Sequence, residues 1–330
     1  MTFDLVSLGR ANLDLYSQDI GADFEDATGF DAMVGGSPTN IAIGVARLGL
    51  RPSLLTAVGD DRTGGFVLRS LRNEGVDTSH VHRIPGKLTS LALLGVKPPS
   101  DFPLSFYRDD PADIYLDPSV VEAFPFGEVR SAQVSGNALS RGPCAQAAVE
   151  ALRRAQAAAV PTYMDLDLRP TEWRTPEAYG EAIRGAMPWV DVVLGTEEEF
   201  FAALMQPNEP LSHGKVPVDL RPALVAEIQS LLIGDGPAVA ILKQGPVGAA
   251  LVTADTHTSI PGFPVDVVNT VGAGDSFAAG IIRSRIVGLS WTESVRFANA
   301  CGAIVVTRHG CSSAMPSVAE VEAFIAASPG

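Results

Sequence analysis

The side chain best placed for chemistry in this sequence is Asp275, in the run Val267-Val268-Asn269-Thr270-Val271-Gly272-Ala273-Gly274-Asp275-Ser276-Phe277-Ala278-Ala279-Gly280. An apolar strand end passes there into a helix of small residues, so Gly272, Ala273 and Gly274 bring bare backbone amides to a helix start. The first N–H groups of a helix lack intrahelical acceptors, and the helix dipole adds positive potential, which together suit a phosphate. Asp275 at the same point can accept a proton. Alone, the segment reads equally well as a tight turn capped by an aspartate. A dinucleotide fingerprint is excluded, because Phe277 holds the third glycine position and the segment lies far from any first βαβ unit.

A second segment, Gly35-Gly36-Ser37-Pro38-Thr39-Asn40-Ile41-Ala42-Ile43-Gly44-Val45-Ala46-Arg47-Leu48-Gly49, supplies a double glycine for close backbone approach and Pro38 in a first helical turn. Asn40 projects near that N-terminus, and Gly49 is a natural stop. No GxxxxGK[ST] occurs, so a P-loop does not hold phosphate here. Arg108, in Ser105-Phe106-Tyr107-Arg108, and Arg169, in Asp165-Leu166-Asp167-Leu168-Arg169-Pro170-Thr171-Glu172-Trp173, carry planar forks suited to a carboxylate. Either one alone reads as a surface arginine with a long stem. His80 and His82 lack further ligands nearby in sequence, so no metal site is expected of them. Cys311 as a nucleophile would need a base and a lowered pKa.

Short apolar runs, at residues 53–58, 132–135, 162–165, 190–194 and 239–242, alternate with helical stretches at 38–48, 64–74, 143–159, 176–186 and 220–232. This repeated βα pattern predicts an α/β fold with a mostly parallel sheet covered by helices. Residues 10–34 and 88–116 read as strands without crossover helices, a small β lid on one domain spanning 1–330. Residues 206–218 are polar and rich in Pro and Gly, the composition of a surface loop. A net charge of −14 argues against nucleic acid as the main partner. Cys144, Cys301 and Cys311 form no CxxC pair, which fits a reducing, cytoplasmic setting. No apolar run reaches the length of a membrane span, and the N-terminal stretch lacks a basic region.

Taken together, the GGxxxNxAxxxAxLG segment and GAGD resemble the two signatures of the ribokinase (pfkB) family of carbohydrate kinases. The resemblance runs through Gly59-Asp60-Asp61 with Gly64, Thr196-Glu197-Glu198-Glu199, Lys243-Gln244-Gly245-Pro246-Val247-Gly248 and Asn299. It implies a ribokinase-like three-layer α/β/α fold and transfer of the ATP γ-phosphate. Asp275 would be the base, with the amides of Gly272, Ala273 and Gly274 as the anion hole. Glu199 would organise Mg2+ through water; Lys243, Gly245 and Gly248 would lie along the nucleotide, and Asn299 beside the adenine. Asn12, Asp14, Gly36 and Asn40 would hold sugar hydroxyls. Two positions depart from the family pattern. Thr196 stands where asparagine is usual, and Asn269 replaces an aspartate that helps to hold a monovalent cation such as K+, so it is a candidate cation ligand without the charge.

The Tyr107-Arg108 and Asp165-to-Trp173 segments are similar to carboxylate-binding patterns of family members that act on deoxyketogluconates. Gly195-Thr196-Glu197-Glu198-Glu199-Phe200 and Thr307-Arg308-His309-Gly310-Cys311 point the same way. The expected substrate is 5-dehydro-2-deoxygluconate of inositol breakdown, phosphorylated at its 6-hydroxyl, with its carboxylate on Arg108 and Arg169. The alternatives are 2-dehydro-3-deoxygluconate and a non-catalytic sensor of sugar acids or nucleotides. By resemblance, two lids pair in a homodimer.

Overall fold

The computed structural model describes residues 2–98, 102–204, 221–234 and 236–328. The polar stretch 206–218 lies outside them. The strands are β1 (Leu5–Leu8), β2 (Asn12–Ser17), β3 (Phe30–Gly35), β4 (Pro52–Gly59), β5 (Val81–Ile84), β6 (Leu91–Leu94), β7 (Leu104–Tyr107), β8 (Ala132–Ser135), β9 (Thr162–Asp165), β10 (Val192–Thr196), β11 (Val239–Lys243), β12 (Gly248–Val252) and β13 (His257–Pro261). The helices are α1 (Ser37–Arg47), α2 (Arg62–Asn73), α3 (Pro118–Ala123), α4 (Gly142–Ala157), α5 (Pro176–Ala186), α6 (Glu197–Leu204), α7 (Arg221–Leu231), α8 (Ala273–Ile286), α9 (Trp291–Val306) and α10 (Val318–Ala327).

Nine strands form one sheet in the order β13-β12-β11-β10-β9-β8-β1-β4-β5. All neighbours from β11 to β5 run parallel, while β11–β12 and β12–β13 at the other edge are antiparallel. The central strands are buried along their length and must satisfy two faces at once. Alternate residues do this: Val192, Leu194, Val239 and Ile241 enter a core with α1, α8, α9 and α10. Val193, Ala240 and Leu242 enter the opposite core with α3 to α7. The period of two therefore builds the three layers.

The chain leaves β1 first toward β4 and β5, and later fills the other side with β8 to β11. The order reverses between β1 and β8, where open α/β sheets form a crevice at the carboxyl ends of their strands. Over that end lies a second sheet, ordered β3-β2-β6-β7, from the two stretches that read as strands without crossover helices. Its β2–β6 pair is parallel, while β2–β3 and β6–β7 are antiparallel. Asp61 caps α2 through Gly64 N and also accepts from Thr89 N and Thr89 Oγ1, which fixes the chain where it enters the second half of the lid.

His80 precedes β5 and His82 lies within it; His80 packs edge-on against Phe3 and Phe124. Among the described residues no helix is long and apolar enough to cross a membrane.

Helices α1 and α8 approach closely because Gly44 faces Ala279. A Cβ added at Gly44 would stand 2.7 Å from the Ala279 Cβ. Gly44→Val should therefore cost about 1–3 kcal/mol of stability through overpacking, read as a lowered urea midpoint with an unchanged slope. An unchanged midpoint would show that the two helices do not depend on this contact.

Candidate active site

Four parallel strands, β1, β9, β10 and β11, end in or lead into polar or charged side chains at the crevice. After β1 the chain turns at Gly9 and delivers Arg10; after β9 come Asp165, Asp167 and Arg169. Strand β10 ends in Thr196, whose hydroxyl accepts from Glu199 N at 3.2 Å while Glu199 Oε2 accepts from Thr196 N at 2.7 Å. This reciprocal capping starts α6 and aims Glu199 back at the sheet, where its Oε1 accepts from Leu168 N at 3.2 Å. Strand β11 ends in Lys243, whose Nζ bonds both oxygens of Asp165, at 3.0 and 2.9 Å, and lies 3.8 Å from Glu199.

Burial opposes the Lys243 charge, but Asp165 and Glu199 outweigh it and raise its pKa. Burial raises the Asp165 carboxyl, with the Glu199 and Asp275 charges adding to the effect against Lys243. The ammonium contact to both carboxylate oxygens keeps the pair ionised.

The two glycine-rich segments meet across α1 and α8. Asn40, in the first turn of α1, donates from Nδ2 to Asp275 Oδ2 at 2.8 Å across a sequence separation of 235 residues. Burial and the nearby Asp167 charge raise the Asp275 pKa, while Asn40 favours the carboxylate. At Gly272 the backbone has φ of 90°, and a Cβ would overlap Cys311 Sγ, so only glycine fits this turn. Cys311 is completely buried, and burial together with the Asp275 and Asp14 charges pushes its thiol up. It is packing for the turn rather than a thiolate. A Cβ on Gly274 would stand 3.3 Å from Lys243 Nζ. Bare amides at the start of α8 therefore face an ammonium group, a cradle for an anion.

The other half of the crevice, beneath the lid, is crowded with charge. Asp14 lies flat against Gly35, where a Cβ would overlap its carboxylate, and Asn12 Nδ2 donates to it. Burial pushes Asp14 up to about 7, with Arg10 and Asn12 opposing. At Gly36, with φ of 103°, a Cβ would overlap the Arg10 carbonyl, which accepts from Thr39 Oγ1 at 2.9 Å.

Asp167 has a positive φ of 38°, an unusual state for a non-glycine residue. It accepts from Ser135 Oγ at 2.6 Å and pairs with Arg169 at 3.0 Å. Against its burial, Arg169 and Arg10 hold its carboxyl below the ordinary range. Arg169 also feels the Asp275, Glu199 and Asp165 charges. Arg108 is engaged differently: its Nε donates to Glu172 at 2.7 Å and its Nη atoms to Asp113, both at 3.1 Å, with the side chain 4% exposed.

On the nucleotide side expected from the sequence, Gly245 has φ of 59° and Gly248 has φ of 114°, and the Gly248 carbonyl accepts from Gln244 N at 2.9 Å. Asn299 on α9 donates to the carbonyls of Ile260 and Pro261, at 3.2 and 3.0 Å, and so holds the end of β13. Asn269 is completely buried; its Oδ1 accepts from Val271 N at 3.0 Å and its Nδ2 reaches Gly310 O at 3.4 Å.

The model of the pfkB family carbohydrate kinases matches residues 2–318. The chain belongs to the pfkB family of carbohydrate kinases. It is 33% identical over 329 residues to a 5-dehydro-2-deoxygluconokinase of Geobacillus thermodenitrificans, covering 98% of this chain and 93% of the relative. A protein of the same name from Bacillus cereus is 33% identical over 325 residues, with 98% and 95% covered. Among solved structures, a fructokinase with bound ATP from Xylella fastidiosa superposes with a TM-score of 0.81 at 24% identity, covering 99% of each chain. A fructokinase of Vibrio cholerae with fructose, ADP and calcium ion gives a TM-score of 0.81 at 25% identity, with 98% and 99% covered. The ribokinase-like fold is thus shared, and the chain is a phosphotransferase acting on a sugar hydroxyl.

Within this pfkB chain, the structure brings Asp275, Gly272, Ala273, Gly274, Asn40, Gly36, Asn12, Asp14, Arg169, Lys243 and Glu199 to one end of the sheet. Gly245, Gly248 and Asn299 gather around β11 to β13. Arg108 sits close by, but its donors are taken by protein carboxylates. Sequence reasoning passed over Arg10, at the start of the stretch 10–34, and Asp167, inside the quoted segment 165–173. Their signal was positional: each lies just past the carboxyl end of a parallel strand of the large sheet.

Asp275→Asn should lower kcat about a hundred- to ten-thousand-fold while both substrates still bind. Because the Asp275 carboxyl is raised and must be ionised to accept a proton, kcat/KM should fall as pH drops through that raised value. Asn40→Ala removes the donor that favours the carboxylate, so the acid limb should move upward by about one unit. An acid limb that stays in place would separate Asn40 from the ionisation of Asp275.

Proposed function

We propose that this sugar kinase transfers the γ-phosphate of ATP to the 6-hydroxyl of 5-dehydro-2-deoxygluconate. The observation that carries the reading is the Asn40–Asp275 contact at the glycine-bounded start of α8, with Lys243 beside Gly274. It joins a base to an anion cradle, and phosphoryl transfer asks a protein chiefly for alignment and charge stabilisation. The sugar-acid class is supported by Arg169 in the crevice and by the relatives named above. 2-Dehydro-3-deoxygluconate, an isomeric acid, is the second candidate.

In this reading Asp275 accepts the hydroxyl proton as the new P–O bond forms and the bond to the ADP oxygen breaks. The amides at the start of α8 and Lys243 take up the charge on the transferring group. Gly245, Gly248 and Asn299 border the nucleotide, while Asn12, Asp14 and Gly36 hold the sugar, with the lid excluding water.

Mg2+ fits this geometry only as a hydrated ion. Both Glu199 oxygens already accept backbone N–H groups, and no cluster of three His, Cys, Asp or Glu residues occurs among the described residues. Bound with ATP, it would neutralise phosphate charge, and Glu199 would hold its waters.

At Asn269 a monovalent cation would meet one free lone pair of a neutral amide oxygen, because that oxygen already accepts from Val271 N and the amide nitrogen faces the Gly310 carbonyl. Asn269 also ties the loop before α8 to the loop after α9, so turnover should depend only weakly on K+.

A second copy of the chain is the proposed partner of the lid, where Leu104 is 41% and Tyr107 63% exposed on the edge strand β7. A monomer mass in sedimentation equilibrium would exclude this. The buried thiols of Cys144, Cys301 and Cys311 fit a cytoplasmic setting.

An ADP-release screen of 5-dehydro-2-deoxygluconate, 2-dehydro-3-deoxygluconate, ribose, fructose and adenosine tests the assignment. The first should give the highest kcat/KM, with less than a twofold difference between K+ and Na+ buffers. Turnover confined to ribose, fructose or adenosine would refute the sugar-acid reading, and turnover of none would favour the non-catalytic sensor.

A further inference from the structure

Arg10 is 6% exposed, yet its Nε and Nη1 are buried without a hydrogen-bond partner. Buried guanidinium donors are costly to leave unmade, and native structures rarely do so unless a ligand or water completes them. Three guanidiniums lie within electrostatic range of one another here: Arg10, Arg108 and Arg169. Their compensation is unequal. Arg108 is closed off by Glu172 and Asp113, and Arg169 is paired with Asp167. Arg10 has the carboxylates Asp14, Asp167 and Asp113 in its surroundings, but its Nε and Nη1 bond none of them.

Burial and the Arg108 and Arg169 charges lower the Arg10 pKa, so its surroundings resist the cation that an arginine nevertheless remains. An anion entering the crevice would relieve that repulsion.

The position of Arg10 is fixed from three sides. Its carbonyl accepts from Thr39 Oγ1 and occupies the space that a Cβ at Gly36 would fill. Its guanidinium stacks on the Phe106 ring of lid strand β7, 4.9 Å from the centroid. Stacking holds the plane and leaves the nitrogen edge for a ligand. Arg169 shows a related gap, since its Nε is also buried and unpartnered.

We infer that Arg10, together with Arg169, is the carboxylate-recognising group of the sugar site, and that Arg108 acts as a buttress holding Glu172 and Asp113 beneath it. This rests on the sugar-acid reading proposed above and names the residue that selects for it.

The test compares wild type with Arg10→Lys, Arg10→Gln and Arg108→Lys in the full chain. Steady-state kinetics with 5-dehydro-2-deoxygluconate are read beside equilibrium binding of the same acid and of gluconate by calorimetry. The thermal shift induced by ATP serves as the check on folding. Arg10→Lys keeps the charge but loses the planar fork, and should raise KM and Kd for the acid about 10- to 100-fold. Its kcat should stay within a few-fold, with the ATP shift intact. Arg10→Gln should weaken the acid further, and Arg108→Lys should chiefly lower thermal stability.

Acid binding within threefold of wild type in both Arg10 variants, with the ATP shift intact, overturns the inference. Wild-type binding of the acid that Arg10→Lys weakens, without turnover, would sustain Arg10 and defeat the proposed reaction. No binding of either acid by wild type would overturn both.

Discussion

The Asn40–Asp275 hydrogen bond is the contact on which the rest of the site depends, because it decides where a single carboxylate stands relative to two helix starts. Asp275 would be an ordinary first-turn acid if α8 began elsewhere. It is held at the crevice because α1 and α8 pack through small residues, Gly44 against Ala279, which lets their N-terminal ends converge. The turn at Gly272 is equally constrained, since its positive φ and the Cys311 sulfur behind it leave no room for a side chain. A base, a row of amides and an ammonium group are thereby fixed by backbone packing, which costs no reorganisation when charge develops.

The second constraint is electrostatic. Asp14, Asp165, Asp167, Glu199 and Asp275 share one crevice with Arg10, Arg169 and Lys243, most of them withdrawn from water. In such a place the pairing decides the protonation state. Lys243 and Asp165 neutralise each other at 2.9 Å, and Asp167 is satisfied by Arg169 and Ser135. Burial and the Asp167 charge raise the Asp275 carboxyl, and the partner that opposes them at hydrogen-bond distance is an amide rather than a cation. A carboxylate left without a cation is a better proton acceptor than one locked in an ion pair. The arrangement separates acids locked in ion pairs from the one acid left able to accept a proton.

Much of this was legible in the sequence, for identifiable reasons. The layered α/β body follows from short apolar runs spaced by helical stretches, and the bare-amide start of α8 from Gly272, Ala273 and Gly274 before an acid. Position in space was not legible. The forks of Arg108 and Arg169 look alike in sequence, but Glu172 and Asp113 occupy that of Arg108; Glu172 lies 64 residues away, and Asp113, 5 residues on, is one of several nearby acids with nothing to single it out. Arg10 was overlooked for the opposite reason: its value comes from what it lacks, and a missing partner leaves no motif. The parallel β2–β6 pairing inside the lid was likewise hidden, because short strands declare neither their neighbours nor their direction.

Arg10 also explains why the lid and the main sheet must be read together. The chain passes from β1 of the large sheet to β2 of the lid through Gly9, Arg10 and Ala11, so this guanidinium sits at the junction of the two. Its stacking partner, Phe106, comes from β7 at the far edge of the same lid. A displacement of the lid would therefore move the ring off the guanidinium and alter the donor edge presented to a ligand. Conversely, an anion seated on Arg10 and Arg169 would favour the lid position that keeps the stack. With an acid bound on Arg10, substrate charge and lid placement would be coupled through one side chain, and exclusion of water would depend on the presence of the group being recognised.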